Sequence, residues 1–279
     1  VTPIGVAPTG GALRGLRVTL LGTGTALPDP QRAATGLFVE HQGGSWWVDG
    51  GPGTLHAAAR AGLDPLGVVG VVLSHHHPDH CAELVPLLFA MRVAGRAAPL
   101  RVLAGPGFAE RLSHLRAAWG RWIEPPGGVV LEQLHGHDHR ALGGLQLTTA
   151  PAQHGAGALH LAFEADGARL VFSGDTGPSP ALEELACGAD LLVVECGHVP
   201  SAPEPREHLG ADDLIALLRR ARPRRARITH FYDHPSLASG VDPRAIVRKL
   251  QRAAPETEVR RARDRERLDL PPRAGTHDG

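Results

Sequence analysis

The segment Ser74-His75-His76-His77-Pro78-Asp79-His80 packs metal-competent side chains into seven consecutive positions, directly after the apolar run 68–73. Its core reads His-x-His-x-Asp-His. In extended backbone, residues two apart point the same way, so His75 and His77 can grip one ion together. A turn into helix after Pro78 then swings Asp79 and His80 toward a second position, while His76 points away and is expected to be structural. Imidazole and carboxylate without thiolate suit zinc, and manganese or iron would also fit. One such cluster cannot close two tetrahedral sites. Three further metal-competent residues stand just after apolar strands elsewhere: His154 after 145–149, Asp175 after 169–173 and His230 after 227–229.

Those residues need strands to bring them together. Residues 16–21, 36–41 and 46–49 are short apolar or alternating runs separated by Gly-rich turns, and read as strands. A helix is expected over 54–61, a buried strand over 68–73, a strand over 100–103 and a helix over 107–119. The second half repeats that order, with strands over 145–149, 159–164, 169–173 and 190–195. Asp166-Gly167 between two of these is a strong hairpin signal. Helices follow over 211–221, where Leu214, Leu217 and Leu218 share a face, and over 243–253, where Ile246 and Leu250 do. Strands come first and helices last in each half. Two packed sheets with helices outside, a four-layer αββα (α+β) sandwich, therefore fits better than a parallel βαβ sheet. The domain is expected over 16–260, after an extension at 1–15 and before a frayed, disordered tail at 261–279, with loops at 125–128 and 201–205.

Five motifs in order carry a resemblance: Leu21-Gly22-Thr23-Gly24-Thr25-Ala26, Val48-Asp49-Gly50-Gly51-Pro52-Gly53-Thr54, the histidine motif, Gly174-Asp175-Thr176 and Thr229-His230-Phe231. From about residue 16 to 255 the chain resembles the metallo-β-lactamase superfamily, and more closely its ribonuclease Z-like phosphodiesterase branch. The resemblance implies two Zn2+ ions. His75, His77 and His154 would hold the first, Asp79, His80 and His230 the second, and Asp175 would bridge them. A carboxylate bridge without a cysteine ligand is unlike the true β-lactamases. Such a pair, about 3.5–4 Å apart, lowers the pKa of a shared water from about 15.7 to near 7, which makes it a nucleophile; Asp79 is counted among the catalytic groups as well as the ligands. The resemblance also places a leaving-group acid at His208, in Glu207-His208-Leu209-Gly210, and its supporting glutamate at Glu195. A carboxylate on an imidazole raises its pKa and fixes its tautomer. Asp49 has two readings, a carboxylate that orients a ligand histidine or a turn residue before Gly50-Gly51.

The chain departs from ribonuclease Z proper in two places. That family carries a long tRNA-gripping arm between the residues matching His154 and Asp175, an interval of only 21 residues here. The loop 207–210 also lacks the family's His-Ser-Thr. With zero net charge, this argues against tRNA and for a small-molecule or short phosphodiester substrate. An ester, lactone or thioester hydrolase of the same superfamily is the alternative. A non-catalytic metal-binding relative is a third reading, against which the complete donor set argues.

Composition bounds the rest. With 29 basic and 29 acidic residues and 42% hydrophobic content, whole-chain disorder is excluded and no broad basic surface is indicated. No window approaches the roughly 18 apolar residues of a membrane span, no secretory signal is evident, and three cysteines argue against a disulfide framework. The cytoplasm is the expected compartment, and a homodimer is implied by resemblance only. His135-Gly136-His137-Asp138-His139 imitates a metal motif but is expected to be a solvated turn. Trp119 and Trp122 are expected to anchor the core, with a lid that stacks on a planar substrate as the alternative. The arginine run 222–227 is expected to be a solvated helix exit.

Overall fold

The computed structural model describes residues 13–42, 44–199, 206–237 and 239–273; the loop 201–205 and most of the extension 1–15 lie outside them. β1 (Leu16–Gly22), β2 (Gly36–His41) and β3 (Gly44–Gly50) form an antiparallel meander, to which β4 (Gly70–Val72), β5 (Leu100–Ala104) and β6 (Val129–Gln133) add in parallel. Their connections carry α1 (Thr54–Arg60), the single turn α2 (Pro78–Cys81), α3 (Leu84–Val93) and α4 (Phe108–Trp119). The second sheet opens with the antiparallel run β7 (His139–Leu142), β8 (Leu145–Pro151), β9 (Leu159–Ala165) and β10 (Ala168–Phe172). It continues in parallel through β11 (Leu191–Glu195), β12 (Arg225–Thr229) and β13 (Glu258–Arg261), by way of α5 (Pro180–Leu185), α6 (Ala211–Ala221) and α7 (Pro243–Ala253). The last strand, β14 (Arg267–Leu270), returns to the first sheet and pairs antiparallel with β1.

Side-chain alternation along the strands builds the layers. Trp46 and Val48 of β3 face the core between the sheets with Leu161, Phe163 and Phe172, whereas Trp47 between them packs under the first-half helices with Leu88, Met91 and Phe108. On β11, Leu191 and Val193 face the sheet-to-sheet core, and Leu192 and Val194 face Leu182, Leu217 and Leu250 of α5, α6 and α7. The result is the four-layer αββα sandwich that the sequence leads one to expect.

The expectation of a disordered tail from Arg261 is corrected for residues 261–273. Leu268 and Leu270 alternate with Arg267 and Asp269, and both leucines are buried in the core between the sheets. They lie opposite Val18 and Leu16 of β1, which would otherwise present an open edge of unpaired backbone. Residues 274–279 lie outside the described residues. The crossing from β13 to β14 is fastened by Asp264. Its carboxylate accepts hydrogen bonds from Thr23 N at 2.9 Å, Thr23 Oγ1 at 2.7 Å and Ala33 N at 2.7 Å. The Thr23 carbonyl in turn accepts from His230 N at 3.2 Å. Asp264→Ala strands two backbone N–H groups and is expected to cost about 2–4 kcal/mol, read as a lower urea midpoint at unchanged slope.

Candidate metal centre

All seven expected donors lie beyond strand ends at one edge of the sandwich. His75 and His77 follow β4, Asp79 and His80 lie in α2, His154 follows β8, Asp175 follows β10 and His230 follows β12. Pro78 at the first helical position presets the turn that takes Asp79 and His80 off the line of the strand. Gly51 permits the close approach behind them, because a Cβ there would stand 2.0 Å from the Asp79 carbonyl oxygen.

His75 Nε2 and His154 Nε2 lie 3.2 and 3.1 Å from His77 Nδ1. The other ring nitrogens are already engaged. His154 Nδ1 donates to the Glu207 carbonyl at 3.1 Å, and His75 Nδ1 faces Ser74 Oγ at 3.1 Å, whose own proton goes to Asp49. Assigned in this way, both Nε2 atoms turn bare lone pairs toward one point. Nitrogens on a tetrahedral zinc, at Zn–N of about 2.0–2.1 Å, stand about 3.3 Å apart, so the spacing fits a cation. Asp175 reaches toward this group and the next: Oδ2 lies 3.9 Å from His75 Nε2 and 3.6 Å from His230 Nε2, and Oδ1 lies 3.3 Å from His80 Nε2. Asp79 Oδ2 lies 3.3 Å from His230 Nε2 and 3.9 Å from His80 Nε2. His75, His77, His154 and Asp175 form one set with donor atoms within 4.8 Å, and Asp79, His80 and His230 another. His80 Nε2 and Asp175 Oδ1 are buried without a hydrogen-bond partner among the described residues, an arrangement that calls for a ligand between them. His77 and His154 are the more open donors; the other five are buried.

Asp49 takes the orienting one of its two readings. Fully buried, it accepts from His80 Nδ1 at 2.6 Å, Ser74 Oγ at 2.6 Å and Ser74 N at 2.7 Å, and so leaves His80 Nε2 bare. Asp49 and His230 both sit in left-handed backbone, at φ 52° and 57°, a conformation costing roughly 1–3 kcal/mol for such residues. Asp49→Asn is expected to weaken metal binding by about 10–100-fold, checked by titrating metal-free protein with Zn2+ against a competing chelator.

The charge states of two imidazoles and of both carboxyls suit a metal. Burial, then His80, holds His75 well below the usual imidazole range, and burial, then His154, depresses His77. Burial pushes the Asp79 and Asp175 carboxyls up, but His230 and His80 outweigh it and hold both below the usual carboxylate range. His80 goes the other way: burial opposes its charge, and Asp175 and Asp49 override burial. Buried negative charge here draws in a cation, and neutral imidazoles with ionised carboxylates are the forms that bind metal.

His208 stands beside the donors. Its Nδ1 donates to Glu195 Oε1 at 2.9 Å, and its ring stacks on His230 with centroids 5.7 Å apart. Burial disfavours the His208 cation, yet the hydrogen bond and charge of Glu195 prevail and push it up to about 9. Glu195 itself is buried and also accepts from Thr176 N at 2.8 Å and from Gly197 N. It lies behind His208 and the Asp175 loop and belongs to none of the close donor groups among the described residues. Sequence reasoning passed over Tyr232, whose ring stands perpendicular to His230 at 5.4 Å and 5.8 Å from His208. Its only sequence signal is its place two residues after His230.

Other candidates lie elsewhere. His76 packs against Phe108. Asp138 closes the 135–139 turn by accepting from His135 N at 3.0 Å. Core anchoring by Trp119 and Trp122 is corrected: they are 52% and 51% exposed, because α4 buries only Phe108 and Leu112 and Ile123 enters the core instead. Neither indole lines the cavities of about 1010 and 720 Å³. In the run 222–227, Arg227 is buried between Glu258 at 3.1 Å and Glu266 at 2.7 Å, contrary to a wholly solvated exit.

A four-layer sandwich with imidazole and carboxylate donors converging at its strand ends defines a metal-dependent hydrolase. Residues 47–231 match the family described as beta-lactamase superfamily domain, and the chain belongs to that superfamily. Its relatives include Ribonuclease Z of Mycobacterium marinum, 39% identical over 194 residues that cover 64% of this chain and 69% of that one. Ribonuclease Z of Mycobacterium avium is 32% identical over 250 residues, 81% of this chain and 88% of that one. Within the superfamily the chain thus groups with the ribonuclease Z-like branch. Solved structures of like fold include the metallo-beta-lactamase fold protein YhfI of Bacillus subtilis, with TM-score 0.78, 18% identity and coverage of 91% of this chain and 99% of that one. Human short-form tRNase Z has TM-score 0.73, 18% identity and the same coverage of 91% and 99%. No helix among the described residues is long and apolar enough to cross a membrane.

Proposed function

We propose that the chain is a dinuclear zinc phosphodiesterase. His75, His77 and His154 hold one Zn2+, Asp79, His80 and His230 the other, and Asp175 is shared; manganese or iron would suit the same donors. The observation that carries this reading is the position of Asp175, whose two oxygens address donors of both sets. When bound, the ions supply Lewis acidity toward phosphoryl oxygens and bring the pKa of water near 7. The chain's own groups do the rest. His208 keeps Nδ1 on Glu195 and so offers its Nε2 proton to a departing alkoxide. Asp49 holds His80 in register, and Tyr232 walls the site beside His208.

An alkoxide leaving group needs that proton and a thiolate does not, so the His208–Glu195 pair supports a phosphodiester over a thioester. The relatives named Ribonuclease Z support it too. The interval from His154 to Asp175 is occupied by the β9–β10 hairpin, which leaves no room for a long arm. Lack of an arm does not by itself exclude RNA, given those relatives. The test is a zinc-loaded comparison of bis(p-nitrophenyl) phosphate, a lactone and a thioester. Preference for the phosphodiester is expected; hydrolysis of a carbonyl substrate alone would overturn the reading.

A further inference from the structure

His160 is a buried titratable side chain that neither donor set nor the His208–Glu195 pair uses. It is the second residue of β9. Alternation along β9 turns Leu161 and Phe163 into the core between the sheets and Ala162 toward the helices, so His160 shares the helix-facing side with Ala162. The cluster on that side is built from apolar groups such as Ala150, Val171, Leu182 and Leu185. An imidazole placed there must find partners for both nitrogens.

It finds them at the two ends of one loop. Nδ1 donates to the Ser173 carbonyl at 2.7 Å, just after β10, and Nε2 accepts from Ser179 Oγ at 3.0 Å. Ser179 is the N-cap of α5, and its oxygen accepts in turn from Leu182 N at 3.3 Å. The proton roles are assigned from the Ser173 carbonyl, which can only accept. Burial outweighs the Ser173 hydrogen bond and holds the imidazole down to about 4, so the ring is neutral at neutral pH.

The loop 173–179 carries Asp175, the carboxylate placed toward both donor sets. Gly174 before it sits at φ 56°, and a Cβ there would stand 2.9 Å from Ser74 Cβ. Thr176 after it donates from N to Glu195 Oε1 at 2.8 Å and accepts at Oγ1 from Gln153 N at 3.0 Å. Those bonds hold the loop sideways, against Glu195 and against the residue before His154. His160 closes it lengthwise, because one rigid ring sets the distance from the end of β10 to the start of α5. A short loop fixed at both ends leaves Asp175 little room to turn away from the donors.

We propose that His160 is a positioning residue for the metal centre, a staple across the 173–179 loop that sets Asp175 between the two donor sets. The proposal rests on the reading of Asp175 as the shared ligand and adds the residue that holds it there. The test compares two variants of the full chain. H160L keeps bulk and loses both bonds, whereas the amide of H160Q offers one donor and one acceptor. Zinc affinity is read by titrating metal-free protein against a competing chelator, and amide hydrogen exchange is read on the same metal-free protein. H160L is expected to bind zinc about 10–100-fold more weakly. It is also expected to exchange faster within 173–179 while the amides of β11 and β12 keep their protection. H160Q is expected to restore most of both. Unchanged zinc affinity in H160L, or losses as large in H160Q, would overturn the proposal. Faster exchange spread evenly over the sandwich would overturn it too, because that marks a merely structural residue. If H160L does not fold, S179A keeps the ring and its Ser173 bond and opens one end only. A smaller loss of zinc affinity is then expected, and no loss would overturn the staple. Failure of the unsubstituted chain to bind zinc strikes the shared-ligand reading instead, and exchange within 173–179, read without metal, still decides the staple.

Discussion

Asp175→Ala is expected to empty both metal positions at once. Each set of donors has three side chains of its own, but Asp175 is the one carboxylate placed toward both, at 3.3 Å from His80 Nε2 and 3.9 Å from His75 Nε2. It is also buried, so no water readily takes its place. Its loss removes a negative charge that helps balance two divalent ions. Metal analysis of the purified variant is expected to fall from about two equivalents toward none. Lewis-acid stabilisation contributes several kcal/mol, so kcat/KM is expected to drop roughly a thousandfold or more. His154→Ala, by contrast, touches one set only and should spare one equivalent. Two full equivalents retained in Asp175→Ala would contradict the shared role.

His208→Ala is expected to separate substrates by their leaving groups. With an alkyl phosphodiester, the departing alkoxide depends on a proton, and kcat is expected to fall about 10²–10⁴-fold. With bis(p-nitrophenyl) phosphate, whose phenolate leaves unaided, the loss should be several-fold at most. The pH dependence has a definite sign. Glu195 holds the His208 proton more tightly than a free imidazole would, so the acid is competent at neutral pH and loses its proton as pH rises. The alkaline fall of kcat on the alkyl ester is therefore expected to vanish in His208→Ala and to move to lower pH in Glu195→Gln. Equal losses on both esters would remove the general-acid role.

Much of the candidate metal centre was legible because four of its residues fall within six positions. His75, His77, Asp79 and His80 follow a buried strand and straddle a proline, and that pattern alone implies a strand, a turn and two converging positions. His154, Asp175 and His230 are single residues in unremarkable contexts. Their place after apolar strands made them candidates, and only kinship assigned them to sets. Asp49 has two readings in the sequence because its hydrogen bonds to Ser74 and His80 come with a left-handed backbone that nothing local announces.

The fold was legible where side chains alternate or keep helical spacing, as in β3 and α6. It was not legible at α3, which is apolar almost all round and carries Pro86 in its first turn. A proline is tolerated there because those N–H groups lack intrahelical partners. β14 was hidden by its charges: two leucines suffice to close an edge when Arg267 and Asp269 face outward, but two leucines among so many charged residues read as a tail.

Anomalous diffraction at the zinc edge from zinc-loaded crystals is the most direct test of the central claim. The account predicts two peaks about 3.5–4 Å apart, one among His75, His77 and His154, the other among Asp79, His80 and His230, with the Asp175 carboxylate between them. A single peak, or zinc bound away from these seven side chains, would contradict it.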